Sequence, residues 1–174
     1  IRLGVAEGLG VMFLASRMGG LFDRYPGLEV ELVAVPRFVS ILNREAEISI
    51  HLERPSVDQL VTRKLTDYRL ALYASRAYLD RNPPIEKRED LAAHAWIDYV
   101  DDLLFSQELK LLSSFCRNPK VVFHSTSVIA QHQAARSGLG IAVLPCFMAA
   151  GDKDLVALLP GEGIQRSYWI SSRR

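Results

Sequence analysis

The pattern of apolar and polar positions predicts a strand–helix–strand unit in the second half of the chain. Residues 141–145 are apolar without interruption and end at Pro145, which indicates a strand covered on both faces, as in parallel sheets. Before it, residues 125–127 supply hydroxyl side chains as candidate N-caps, and Gly138 stands where a left-handed turn would end the helix. A strand over 120–125 completes the unit.

A second unit of the same kind is predicted at the start of the chain. Apolar residues alternate over 1–6 and again over 28–35, which predicts two strands. Between them, a helix is predicted over 11–26, whose apolar stripe consists of Val11, Leu14, Ala15, Met18 and Phe22. Parallel strands joined in this way need a right-handed crossover.

The remaining segments predict shorter elements. Strands are predicted over 47–50, 59–65, 68–75, 94–102, 155–160 and 166–171, and a helix over 103–115. Because strands and helices alternate, we predict an α/β protein with mostly parallel sheets. The two clear units are far apart in the sequence, which indicates two lobes.

Composition and charge narrow the possible functions. The chain has 174 residues, of which 49% are hydrophobic and 24% charged, as in ordinary globular domains. Lys and Arg total 21 against 20 acidic residues, and this balance argues against binding of a phosphate backbone by this segment. No apolar run approaches the roughly 18 residues that cross a bilayer, so no membrane contact is expected.

The cysteines indicate the cellular compartment, and the first residues indicate whether a signal peptide is present. Two cysteines, Cys116 and Cys146, do not form a disulfide framework and favour a reducing compartment, which predicts a cytoplasmic protein. No His or Lys adjoins either cysteine, which argues against a redox switch through this pair. The chain has no initiator Met, shows no signal-peptide pattern and opens directly in a strand. We interpret it as a piece of a longer protein.

No motif of enzyme chemistry is complete. Gly8 and Gly10 fit two positions of the dinucleotide fingerprint, but Phe13 occupies the third, where a side chain blocks close helix–strand approach. The histidines lack carboxylate or cysteine partners at metal spacing, and no nucleophile–base pair is apparent. We therefore predict no metal, no cofactor, no catalytic residues and no enzymatic activity.

Four segments, in order, carry a resemblance to a known family. They are residues 1–32, which begin IRLGVAEGLG, and the runs REAEISIHLERP (44–55), LYASRAYLDR (72–81) and STSVIAQHQAARSGLGIAVLP (125–145). Together they resemble the effector-binding domains of LysR-type transcriptional regulators. The resemblance implies two Rossmann-like α/β lobes around a cleft, similar to type II periplasmic binding proteins, with a small effector in the cleft. It also implies a winged helix-turn-helix DNA-binding domain before residue 1, absent from this chain.

The resemblance implies where the lobes and the effector site lie. Lobe I would comprise 1–66 plus 151–174, and lobe II 67–150. In open α/β sheets, ligands lie outside the carboxyl ends of the strands, close to helix N-termini. The candidate ligand-binding residues are Glu7, Gly8, Leu9, Phe38, His51, Tyr99, Val100, Ser125, Ser127, Pro145 and Cys146.

Each candidate also has a structural interpretation. Ser125 and Ser127 can serve only as helix caps, and Glu7 can be a solvated loop residue. As a ligand contact, Glu7 would select an effector with a hydroxyl, amide or amine, because a carboxylate repels an anion. Core packing explains Phe38, His51, Tyr99 and Val100 about as well as ligand contact does.

The resulting hypothesis is an effector-sensing domain that controls transcription. Its partners would be a small polar metabolite, a second copy in a homodimer or homotetramer, and DNA through the missing N-terminal domain. The resemblance implies a dimer formed by residues 11–24, 29–35 and 128–136, with Leu21 and Val33 as interface candidates. The alternative is a freestanding periplasmic solute-binding protein of a transporter.

Overall fold

The computed structural model describes residues 1–174, which form two compact units. Unit 1 comprises 1–67 and 166–174, and unit 2 comprises 68–165. The first boundary lies one residue from the predicted one, whereas 151–165 belong to unit 2 and not to the lobe predicted for them. The cause is an antiparallel pairing of residues 155–158 with residues 72–75, which joins this segment to the sheet of unit 2.

Nine strands and five short α-helices make up the regular structure. The strands are β1 (Arg2–Ala6), β2 (Glu31–Val35), β3 (Ile48–His51), β4 (Leu60–Ser75), β5 (Ala95–Asp98), β6 (Lys120–His124), β7 (Ile141–Pro145), β8 (Leu155–Leu158) and β9 (Ile164–Arg173). The helices are α1 (Glu7–Leu9), α2 (Gly19–Arg24), α3 (Arg76–Leu79), α4 (Val128–Arg136) and α5 (Cys146–Ala149). The predicted alternation of strands and helices is confirmed.

The sheet of unit 1 has a parallel centre. β1 lies between β2 and β3 and is parallel to both, while β9 pairs antiparallel with β3. On one face, Val39 packs so closely that a Cβ on Gly4 would lie 2.5 Å from its side chain. On the other face, a Cβ on Gly10 would lie 2.5 Å from Ala34 and from Val5. The start of the helical run is thereby pressed onto the sheet.

The helical run after β1 differs from the prediction. It begins at Glu7, passes through a π-helical segment (Gly10–Leu14) and a 3₁₀ segment (Ala15–Arg17), and continues as α2. The predicted apolar stripe is not a core-facing stripe: Val11, Ala15 and Phe22 are exposed and its other members are half-buried. Only the first turn, over 8–10, is buried against the sheet.

The two strands predicted over 59–65 and 68–75 are one strand of 16 residues, β4. Polar residues at 66 and 67 made the sequence pattern appear interrupted. In the structure residues 63–67 are exposed, so the strand tolerates polar side chains there while its backbone continues. The second half of the strand, Leu70–Ser75, is fully buried in unit 2.

The sheet of unit 2 combines parallel and antiparallel pairs. β5 lies between β6 and β7 and is parallel to both, and β4 is antiparallel to β7 and β8. Leu72, Leu91, Trp96 and Ile141 have no measurable exposure and form the centre of the core. The strands that flank α4 in sequence, β6 and β7, are therefore separated by β5 and are not direct neighbours.

The helix predicted over 103–115 is instead three short 3₁₀ turns, at Asp101–Leu103, Gln107–Leu109 and Leu112–Ser114. Leu109, Leu111 and Leu112 are all buried. Leu111 and Leu112 belong to the core of unit 2, and the short 3₁₀ turns let the chain change direction between these buried residues.

The glycine turn after α4 is confirmed. Gly138 has a φ of +84°, and its N–H bonds the Ala135 carbonyl at 3.1 Å, as expected for a left-handed residue that ends a helix. Gly140 has a different role: a Cβ there would lie 2.4 Å from the carbonyl oxygen of Ala95. β7 is fully buried over its five residues.

Substitution of Gly140 with Ala should destabilise the protein. The added methyl would overlap the backbone of β5, which cannot move without disturbing β6 and β7, and overpacking of this kind costs about 1–3 kcal/mol. Urea unfolding of Gly140→Ala would measure the loss. Gly20→Ala is the matched control, because its Cβ meets no atom within 4 Å in α2, and its stability should be equal or higher. Equal stability of both variants would contradict the close approach.

Candidate functional site

Three strands of unit 1 end beside one another. Ala6 pairs with Val35 of β2, and Val5 pairs with Ile50 of β3. The residues that follow these pairs therefore emerge at one end of the parallel sheet, which is where open α/β sheets place their ligands. We call the group formed by Glu7, Phe38 and His51 the unit 1 edge.

Glu7 is the first residue of α1 and its side chain is partly buried. No side chain caps this helix, and Ala6 in the N-cap position has an extended conformation. The Oε2 atom of Glu7 is buried and has no hydrogen-bond partner in the protein. The two candidates that follow, Gly8 and Leu9, are buried in the first turn, so they fix the position of Glu7 by packing.

His51 and Phe38 form a stacked pair. Their ring centroids lie 5.0 Å apart with an interplanar angle of 22°. His51 is only 5% exposed, whereas Phe38 is 51% exposed. Burial lowers the pKa of His51 to about 4, so the imidazole is neutral at physiological pH. Its Nε2 atom is also buried without a partner. The unit 1 edge therefore contains two buried polar atoms that the protein leaves unpaired.

In unit 2, the ends of β5 and β6 are joined by the backbone. The Ser125 N–H donates to the Asp98 carbonyl at 3.0 Å, and the His124 Nδ1 contacts the Tyr99 carbonyl at 3.0 Å. Tyr99 is buried and Val100 is half-buried. We call the group formed by Asp98, Tyr99, Val100, Ser125 and Ser127 the unit 2 edge.

Ser127 caps α4, and Ser125 bonds the backbone of this cap residue. The Ser127 Oγ accepts from the Ala130 N–H at 3.1 Å, and the Ser125 Oγ accepts from the Ser127 N–H at 3.1 Å. The side-chain amide of Gln131 donates to the Ser125 carbonyl at 3.0 Å. The predicted capping role is confirmed for Ser127 and not for Ser125, and ligand contact of both stays a prediction.

Pro145 and Cys146 lie at the end of β7. Pro145 is buried, and Cys146 is half-buried and not in a disulfide. Burial and a hydrogen bond with Cys146 raise the pKa of the Tyr73 phenol on the neighbouring β4. The neighbour of the Cys146 thiol is therefore a neutral phenol.

Sequence reasoning missed several polar residues near the two edges. Asp98 ends β5, and burial raises the pKa of its carboxyl, against the effect of a backbone hydrogen bond from Tyr99. Gln131 is only 1% exposed. Trp169 is the antiparallel partner of His51, and the Arg54 guanidinium lies 5.5 Å from its ring centroid. Asp98 had a usable signal, since an acidic residue follows the apolar run at 95–97.

Other chemistries have little support in the structure. No group of three or more His, Cys, Asp or Glu side chains is arranged to hold a metal ion. None of the helices has the length and apolarity that a membrane span requires. Both edges instead lie at the ends of parallel strands, where open α/β sheets place their ligands, and the unit 1 edge also contains unpaired buried polar atoms.

Comparison with known proteins identifies the family. The family model described as the LysR substrate binding domain matches residues 1–174, and the chain therefore belongs to this family. Its members are the effector-sensing domains of LysR-type transcriptional regulators, which are not enzymes. The predicted family and the predicted two-lobe, periplasmic-binding-protein-like α/β fold are confirmed. The same assignment disfavours the alternative of a freestanding solute-binding protein.

Curated relatives are bacterial regulators of low sequence identity. The HTH-type transcriptional regulator PtxR of Pseudomonas aeruginosa is 24% identical over 156 residues, which cover 85% of this chain and 49% of PtxR. The regulator CrgA of Neisseria meningitidis is 26% identical over 141 residues, 79% of this chain and 46% of CrgA. The chain thus spans about half the length of these relatives.

Solved structures share the fold. The regulatory domain of CrgA matches with a TM-score of 0.81 at 22% identity, covering 99% of this chain and 88% of that domain. Full-length AphB of Vibrio cholerae matches with a TM-score of 0.79 at 19% identity, covering 100% of this chain and 61% of AphB. At these identities the likeness establishes the fold alone.

Two further buried histidines lie in unit 2. His132 lies 3.4 Å from the Asp152 carboxylate, and Arg136 lies 2.8 Å from the same oxygen. Burial lowers the pKa of His132, while Asp152 opposes this effect. Burial also lowers the pKa of His94, with Asp90 opposing. In all three buried histidines, including His51, the folded state therefore disfavours the proton.

The protein should lose stability as the pH falls from 6.5 to about 4. In this window unfolded histidines bind protons that the folded protein excludes, so acid favours unfolding. For His51, with a folded pKa of about 4 against an ordinary 6.5, full protonation would remove about 3 kcal/mol. Chemical unfolding at several pH values should show a shallower pH dependence in His51→Gln. His124→Gln, at an exposed position of β6, is the control, and equal slopes in both variants would refute the assignment to His51.

Proposed function

We propose that this chain senses a small polar metabolite at the carboxyl ends of its parallel strands and thereby controls transcription. It would act as part of a cytoplasmic regulator that binds DNA through a separate N-terminal domain, as LysR-type regulators do. The family match over residues 1–174 supports the regulatory role. The effector site is inferred from the side chains at the two edges.

The observation that carries the effector site is the presence of unpaired polar atoms at the unit 1 edge. Buried polar groups in proteins are almost always hydrogen-bonded, and leaving one unpaired costs about 1–3 kcal/mol. Glu7 Oε2 and His51 Nε2 have no partner in the protein, and both residues lie at the end of the sheet where ligands bind in this class of fold. A bound effector would supply the missing partners.

The unit 2 edge supports the same function in a different way. Its serines are already engaged as caps, but each hydroxyl oxygen retains further hydrogen-bonding capacity. The Asp98 carboxyl and the Gln131 amide lie beside them on β5 and α4. An effector that interacts differently with two conformations of the regulator would shift their populations, and this shift would be the regulatory signal.

A thermal-shift screen tests effector binding. The panel would contain small carboxylates, amines, amino acids and phenolics, and a true ligand at a hundred times its Kd should stabilise the domain by about 2.7 kcal/mol. The shift should be lost or reduced in Glu7→Gln and in Ser127→Gly, which keeps most of the capping energy. A ligand whose shift is the same in both variants as in the wild type would contradict the proposed location.

The helical run of unit 1 also presents a surface for a second copy. Leu21, Phe22 and Tyr25 are exposed by 36%, 39% and 51%. A shallow pocket of about 600 Å³ lies beside them, lined by Leu21, Arg24, Tyr25, Pro26, Gly27 and Leu28. We call this pocket with Phe22 the α2 surface. Val33, the other interface candidate, is half-buried on β2. We propose that homodimers, or the dimeric halves of a tetramer, use the α2 surface.

Replacement of Leu21 with Glu should weaken self-association. A charge in an apolar contact must be desolvated without a partner, which costs several kcal/mol at the centre of an interface. Light scattering over a concentration series would show a higher monomer fraction in Leu21→Glu. Leu42→Glu is the control, since Leu42 is 46% exposed and lies outside the α2 surface. Monomers in the wild type at high micromolar concentration would overturn the proposed dimer.

A further inference from the structure

The chemistry of the unit 1 edge narrows the class of effector. A glutamate carboxylate accepts hydrogen bonds and donates none. The unpaired Oε2 of Glu7 therefore requires a donor from the ligand. A carboxylate ligand offers no donor, and it would place a second negative charge beside the first in a partly buried position, where charge repulsion is strong.

The basic residues next in sequence to Phe38 and close to His51 have other partners. His51 is neutral above a pKa of about 4, so it does not neutralise a nearby carboxylate at physiological pH. Arg37, which precedes Phe38, is bound to Glu45 at 3.0 Å. Arg54 lies over the ring of Trp169. If the Arg54 guanidinium governed the site, an anionic ligand would be preferred instead, and this outcome can be tested.

Phe38 supplies an apolar contact at the same edge. The stacking of Phe38 on His51, a residue of β3, places its ring at the ends of the central strands, although Phe38 itself follows β2. Half of the Phe38 side chain remains exposed. An aromatic face in this position packs favourably against a flat ligand, and still more favourably against a flat cation.

We propose that the effector of this domain is a small organic cation with a flat apolar portion, whose N–H groups donate to Glu7 and whose ring packs on Phe38. Amidines, guanidines and aromatic amines belong to this class. His51 Nε2 accepts or donates one further hydrogen bond, as its tautomer allows. The inference rests on the proposed effector-sensing function and specifies the ligand of that same site.

Three ligands of nearly identical shape separate the possible charge classes. Benzamidine, benzamide and benzoate share a planar ring and differ in carrying a positive, neutral or negative group. Calorimetric titration of the domain should give the tightest binding for benzamidine and the weakest for benzoate. A charge-assisted hydrogen bond predicts a preference for benzamidine over benzoate of about tenfold or more.

Variants at the edge test the residues. Glu7→Gln should weaken benzamidine binding by about tenfold and abolish the preference over benzoate. Glu29→Gln, an exposed position before β2, is the matched control and should bind as the wild type does. Phe38→Ala should weaken benzamidine while leaving acetamidine, which has no ring, unchanged.

The outcomes distinguish this inference from the proposed function. Tighter binding of benzoate, or benzamidine binding that is unaffected in Glu7→Gln, would overturn the cationic class. Under that result a hit from the wider thermal-shift panel would still support effector sensing. If neither these three ligands nor any member of the panel binds, both the inference and the proposed effector function are overturned.

Discussion

The close contact of Gly10 with Val5 and Ala34 is the constraint on which the unit 1 site depends. A side chain at Gly10 would overlap both neighbours, so only glycine lets the helix start lie directly on β1 and β2. Glu7 is three residues earlier, and its position at the end of β1 follows from this contact. Gly140 provides the corresponding approach in unit 2, where β7 packs against the carbonyl of Ala95 in β5. In both units a glycine without a side chain allows the close approach, and in unit 1 this approach sets the position of Glu7.

The two edges satisfy their polar groups differently. In unit 2, Ser125, Ser127 and Gln131 bond the backbone at the start of α4, so this edge is ordered before any ligand arrives. In unit 1, the helix start has no side-chain cap, and Glu7 and His51 retain unpaired atoms. An unpaired buried acceptor discriminates strongly among ligands, because a ligand without a hydrogen-bond donor does not remove the free-energy penalty of the unpaired acceptor. Selectivity should therefore come mainly from unit 1.

Sequence reasoning succeeded where local chemistry decides the structure. Gly138, the Ser127 cap and the uninterrupted apolar run of β7 each act within a few residues, and the structure contains all three. The selection of Glu7 as a ligand contact, made because a carboxylate repels an anionic effector, stays a prediction. Sequence reasoning failed at β4, where one strand continues through exposed polar residues. It also failed over 103–115, where the chain forms 3₁₀ turns although the spacing of apolar residues predicts a helix. Asp98 and Gln131 were missed because their surroundings depend on long-range strand order.

The helical run that starts at Glu7 connects the unit 1 edge with the α2 surface. The stripe residues are apolar, but Val11 and Phe22 face away from the core of this chain. Large contiguous apolar patches on a surface are typical of interaction sites, and the exposed apolar residues here belong to the same helical run that begins with Glu7. That run changes its winding at the π-helical segment Gly10–Leu14, a type of distortion found frequently at functional sites. The α2 surface begins at Leu21 of this run, so a displacement of Glu7 on ligand binding would act on it through a short, continuous stretch of the chain.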